Sequence, residues 1–112
     1  IRRFKMQVIV QVLTSSKRSL RDAIAKDVKL KDFKLKVSEQ KRISRSPGWA
    51  KLHSSAKPKR HGAINIQWID QMLLCRIITK GGGKPHKIIG DFVEYLLARF
   101  QKSIKAINIL PK

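Results

Sequence analysis

The sequence predicts an α+β domain, a mixed sheet of about five strands with two helices packed on it. The order is β-α-β, a long basic loop, then β-β-α-β. Three observations carry this reading. Five separate runs are rich in apolar and β-branched residues, and several of them alternate at period two. One stretch, 86–100, instead repeats at the helical period. The 112 residues, 42% of them hydrophobic, suffice for one core but not two, so the elements belong to a single domain over 1–112.

Over residues 4–13, Phe4, Met6, Val8, Val10 and Val12 fall on one side and Lys5, Gln7 and Gln11 on the other, with Ile9 and Leu13 among them, the pattern of a half-buried strand. Thr14, Ser15 and Ser16 break it. SLRDAIAKDV then reads as a helix, with Ser19 and Asp22 near capping-box spacing. In DFKLKVSEQK, Phe33, Leu35 and Val37 point one way and Lys34 and Lys36 the other, a second strand. After a long basic stretch come AINIQWI (63–69) and MLLCRIIT (72–79). Only Asp70 and Gln71 separate them, which predicts a tight hairpin even without the glycine such turns favour. KGGGKP follows as a loop. Within 86–100, Ile88, Ile89, Phe92, Val93, Leu96, Leu97 and Phe100 form one apolar stripe, Pro85 suits the first turn and Arg99 the last. IKAINIL (104–110) closes the chain as a buried strand.

Charge is the unusual property. Twenty-six Lys and Arg against seven Asp and Glu give +19. So large an excess costs the compact state self-repulsion, and a polyanion that neutralises it in use accounts for it most simply. The excess runs the length of the chain, which favours a binding face over a detachable basic arm. Cys75 is the only cysteine, so no intrachain disulfide forms and a reducing, intracellular compartment is expected. The start, IRRFKMQVIVQVL, has the two arginines of a signal peptide, but Gln7 and Gln11 interrupt its apolar part and no small-residue cleavage site follows. No apolar run approaches the ~18 residues of a membrane span, and no membrane partner is expected.

Three places are candidates for contact with DNA or RNA. SRSPGWAKLHSSAKPKRHG (44–62) contains no acid and is read as a flexible basic loop. In it Trp49 either pins the loop to the core together with Leu52 or stacks on unpaired bases, while Arg45, Lys51, Lys57, Lys59 and Arg60 track phosphates. The second place is the Lys34 and Lys36 strand face, with Lys41 and Arg42 at its end. The third is TKGGGKPHK (79–87), where Lys80, Lys84 and Lys87 surround three glycines and the start of a helix, a natural seat for a phosphate. Trp49, Asn65, Gln67 and Arg76 are the side chains suited to reading bases. Phosphate contacts therefore dominate the expected binding and leave sequence preference open. A basic loop carrying a tryptophan leans toward single-stranded or looped targets.

Catalytic chemistry has weaker support. Acid-x-Lys occurs at Asp27-Val28-Lys29, Asp32-Phe33-Lys34 and Glu39-Gln40-Lys41, all in the most lysine-dense region. On one extended strand Asp32 and Glu39 would stand roughly 23 Å apart at ~3.3 Å per residue, too far to share a metal. From residue 19 onward the order α-β-β-β-α-β resembles the core of restriction-type nucleases, in topology alone. The resemblance implies a magnesium-dependent site with an acid near the end of the second core strand, where Asp70 stands. It also implies an acid-x-Lys on the third, where this chain has Leu74-Cys75-Arg76-Ile77. Asp70, Glu39 and Lys41 are the catalytic candidates under that reading. The isolated His53, His61 and His86 close no zinc site by spacing, and neither a metal nor another cofactor is expected. The remaining alternative is a structural protein of a ribonucleoprotein, its basic loop threading folded RNA.

Overall fold

A computed structural model describes residues 5–41, 49–80 and 84–111. Six strands, β1 (Lys5–Thr14), β2 (Leu35–Lys41), β3 (Trp49–Ser54), β4 (Ala63–Ile69), β5 (Met72–Lys80) and β6 (Ile104–Pro111), form one sheet in the order β2-β3-β4-β5-β1-β6. Helices α1 (Leu20–Lys26) and α2 (His86–Phe100) lie in the two long connections, with short 3-10 helices at Val28–Phe33 and Gln101–Ser103. The architecture is α+β as expected, with six strands in place of about five. Every pairing is antiparallel, so the sheet is not mixed.

The additional strand comes out of the stretch read as a loop. Along β3, Ala50, Leu52 and Ser54 are buried while Trp49, Lys51 and His53 are half-buried on the other side. The alternation is genuine, but two of its three inward side chains are alanine and serine, which carry almost no hydrophobic signal. Trp49 and Leu52 are an odd number of residues apart, so they occupy opposite faces and cannot pin one loop together. The strand also removes the nuclease-like order, because four strands, not three, now stand between the helices.

All fully buried strand residues lie on one face. Val8, Val10 and Val12 of β1, Ile64 and Ile66 of β4, and Leu73, Cys75 and Ile77 of β5 join Leu20 and Ile24 of α1 and Ile88, Phe92, Tyr95 and Leu96 of α2 in one core. The sheet thus has a covered face and an open one, the usual economy of an antiparallel sheet. Helix α2 buries a rotated version of the expected stripe. Asp91 and Tyr95 turn inward and Leu97 is 45% exposed. Each inward polar group has a partner that sequence spacing does not show.

Asp27 is the partner of Tyr95. One carboxylate oxygen accepts from the Lys29 backbone N–H at 2.9 Å and caps the first 3-10 helix. The other accepts from the Tyr95 hydroxyl at 2.8 Å and from Arg99 Nε at 3.0 Å. Phe33 and Phe100 pack edge-on against the same tyrosine ring at 5.5 and 5.8 Å. Burial pulls the Asp27 pKa upward, but hydrogen bonds from Arg99, Lys29 and Tyr95 outweigh it and hold the group below its ordinary value. Burial and the adjacent Asp27 carboxylate push the Tyr95 hydroxyl pKa up. Other details follow the sequence closely. Ser19 caps α1 by accepting from the Asp22 N–H at 3.3 Å. Asp70 and Gln71 take φ of 49° and 63° to close the hairpin with Ile69 opposite Met72, and Thr14 Oγ1 donates to the Gln71 carbonyl at 2.8 Å. Positive φ at both central positions is the turn geometry that matches strand twist.

A depressed native pKa means that Asp27 contributes stability above its unfolded value of about 3.9 and loses it as pH falls through the lower, folded value. We expect Asp27→Asn to cost about 1–2 kcal/mol at pH 7, on the scale of hydrogen bonds to a charged group. The deficit should shrink at a second, acidic pH below the depressed folded value, where the wild-type carboxylate is protonated as well. Urea unfolding at the two pH values measures both.

Candidate nucleic-acid interface

Residues 55–62 connect β3 to β4 and are shaped by four constraints. Ser54 Oγ accepts from the Ala56 N–H at 3.1 Å, and the Ser55 N–H donates to the Lys34 carbonyl at 2.8 Å. Arg60 Nε lies 3.1 Å from Asp91 Oδ2, an ion pair with side chains 24% and 9% exposed. Its alignment falls short of a hydrogen bond, since Asp91 Oδ2 has none among the described residues. Gly62 then turns the chain into β4 at φ +113°, where a Cβ would come within 3.2 Å of both Ile88 Cγ2 and Thr79 Cγ2. The segment is therefore fastened to β2's approach, to α2 and to the sheet, and is not a free loop.

Two grooves flank it. One, of about 540 Å³, is lined by Lys34, Lys57, Lys59, Arg60, Lys84 and Lys87, with Ala56, Pro58, His61 and His86. The other, of about 700 Å³, opens onto the uncovered sheet face, and Lys51, Lys59, Arg60 and Arg76 line it with His53, His61, Asn65 and Thr79. Eight Lys and Arg side chains thus border two adjoining depressions, and no carboxylate lines either among the described residues. Unopposed cations in concave, low-dielectric walls focus a positive potential outward.

These cations belong to three separate regions of the sequence, and the fold brings six of them to one groove. Lys34 arrives by an unexpected route. It is the left-handed C-cap of the first 3-10 helix, φ 65°, and not part of a strand face with Lys36. Lys36 belongs to β2 and stands opposite His53. Arg60 is tied to Asp91 and positions the segment as well as lining the grooves. Lys41 pairs with Trp49 at the end of β2, and Lys80 ends β5. Arg42, Arg45 and the three consecutive glycines at 81–83 lie outside the described residues. Arg76, suited by type to reading bases, also stands in the groove wall because of its place on β5.

The catalytic candidates do not converge. Asp70 is exposed in the β4–β5 turn. Glu39 belongs to β2, opposite Lys51, two strands and several residues away, about 19 Å at ~3.3 Å per residue and ~4.8 Å per strand. Asp32 lies in the 3-10 helix, not on β2, 3.9 Å from Lys29 Nζ. Among the described residues no three His, Cys, Asp or Glu side chains gather. Burial raises the Cys75 thiol pKa, and its place at the core keeps it from solvent. No helix among the described residues is long and apolar enough to cross a membrane. Comparison with protein-family models, with curated proteins and with solved structures finds no match.

Two glycines test the fastening of this segment. Gly62→Ala should destabilise by about 2 kcal/mol or more, because it combines a positive φ with two tight contacts. Gly90→Ala, on the exposed side of α2 with nothing within 4 Å of the added carbon, should stabilise by about 0.5–1 kcal/mol. Thermal unfolding of the two variants decides both signs.

Proposed function

We propose that this protein binds nucleic acid, DNA or RNA, through phosphate-dominated contacts along residues 55–62 and the start of α2. The observation that carries the reading is the convergence of eight Lys and Arg side chains on two adjoining grooves without a lining carboxylate among the described residues. A net charge of +19 supplies the long-range attraction. Fastening by Arg60–Asp91 and Gly62 supports the same reading, since a segment whose backbone is already held loses less conformational entropy when a phosphate arrives. Lys57, Lys59, Lys84 and Lys87 are all exposed, so their ammonium groups are available to track a backbone.

Fluorescence anisotropy with labelled oligonucleotides across salt tests this. Wild-type affinity should fall steeply, with log K losing about 0.7–0.9 per decade of salt for each phosphate neutralised. Lys57→Gln combined with Lys59→Gln should weaken binding to every probe and reduce that slope by about two. A shallow slope, unaltered by the double substitution, would overturn the proposal.

A further inference from the structure

The open face of the sheet has a chemistry that the basic grooves do not explain. Trp49 of β3 stands opposite Gln67 of β4, and Asn65 of β4 stands opposite Arg76 of β5. Lys51 stands beside Asn65 on the other side, so the five side chains occupy one contiguous patch over three neighbouring strands. Directly opposed residues in an antiparallel pair share a face, and these positions alternate with the buried Ala50, Leu52, Ile64, Ile66, Cys75 and Ile77. The patch is therefore the solvent side of the sheet. No element covers it among the described residues, since both helices pack into the core behind it.

Its composition narrows the occupant. The same face also carries Leu74 opposite Gln67 and Ile9 opposite Arg76, but the indole's own neighbours on β3 and β4 are Lys51 and Gln67, not the continuous apolar surface a lipid would need. Side-chain amides and a guanidinium present the paired donors and acceptors that match base edges, and an indole presents the flat face on which a base stacks. A duplex keeps its base faces stacked inside, so only an unpaired strand can use the tryptophan. The patch runs into the groove lined by Lys51, Lys59, Arg60 and Arg76, where the phosphates of the same strand would lie. Three strands span about 10 Å across the sheet, room for two or three bases.

We propose that this face is a platform for unpaired bases, with Trp49 as the stacking residue and Gln67, Asn65 and Arg76 contacting base edges. The preferred ligand is then single-stranded nucleic acid, or a loop in folded RNA. The proposal rests on the phosphate-binding reading for its affinity and adds to it a target class.

The test uses the full chain, labelled single strands of about 12 nucleotides, which lies within the usual site sizes, and a duplex of the same sequence. Trp49→Ala should weaken single-strand binding roughly tenfold or more, leave duplex binding within twofold and leave the salt slope unchanged. Trp49→Tyr, which keeps a ring, should restore most of the loss. In a Trp68→Phe background, where Trp49 is the sole indole and the altered residue packs against the core, single strands should quench its emission and the duplex should not. If Trp49→Ala and Gln67→Ala both bind single strands within twofold of wild type while the Lys57/Lys59 double substitution still weakens binding, the platform is overturned and the phosphate reading stands. If wild type binds no probe at low salt, both are overturned. Equal quenching by duplex would overturn the single-strand preference.

Discussion

One-sided burial is the constraint on which this structure rests. Two helices are available to cover six strands, and both pack on the same face. The strands send their fully buried residues one way, so Val8, Val10 and Val12 face α2's side of the sheet, while Gln7 and Gln11 share the uncovered side with Ile9, Leu13, Leu74 and Ile78. A slip of one residue in any register would exchange those sets. The tight Asp70–Gln71 turn and the cap from Thr14 onto the Gln71 carbonyl guard against that slip at one end of the sheet. The open face is the other consequence of the same constraint, and its tryptophan, amides and arginine have no structural duty in the core.

Acidic residues are scarce here, and the fold commits most of those it describes to structural contacts. Asp27 caps a 3-10 helix and receives Tyr95 and Arg99, and Asp91 is buried against Arg60. Asp22 and Asp32 pair with Arg21 and Lys29 near their own helices. Exposed pairs of this last kind contribute little to stability. Their placement still matters, because no carboxylate lines the two grooves among the described residues and Arg60 is the one cation of 55–62 given an acidic partner there. A buried pair such as Arg60–Asp91 is costly to desolvate and is retained where it selects a conformation. In this protein it selects the course of the basic segment across α2.

The elements with strong periodicity were legible in the residues: the first strand, the hairpin at 63–79 and the long helix. The closing segment is a strand as expected but not a buried one, since it forms the sheet edge with Ile109 and Leu110 46% and 41% exposed. Strand β3 was not, since Ala50 and Ser54 bury without advertising it. Lys34 alternates with Phe33 and Leu35 as a strand residue would, yet the backbone turns left-handed there to end a 3-10 helix. The rotation of α2 was equally hidden. Asp91 and Tyr95 look like surface residues until Arg60 and Asp27, distant in sequence, are brought against them.

By itself the sequence determined the charge, the alternation of most strands, the principal helix and the inventory of cations, because each is a property of neighbouring residues or of a simple count. Tertiary structure alone decided which cations meet. Lys34, Lys59 and Lys87 share a groove only because β3 forms and the segment after it is pulled onto α2. It also decided that Trp49 faces solvent beside Gln67 and not the core beside Leu52. Both outcomes depend on pairing between segments far apart in the chain, and the free energy of such pairing comes from contacts that no local pattern contains.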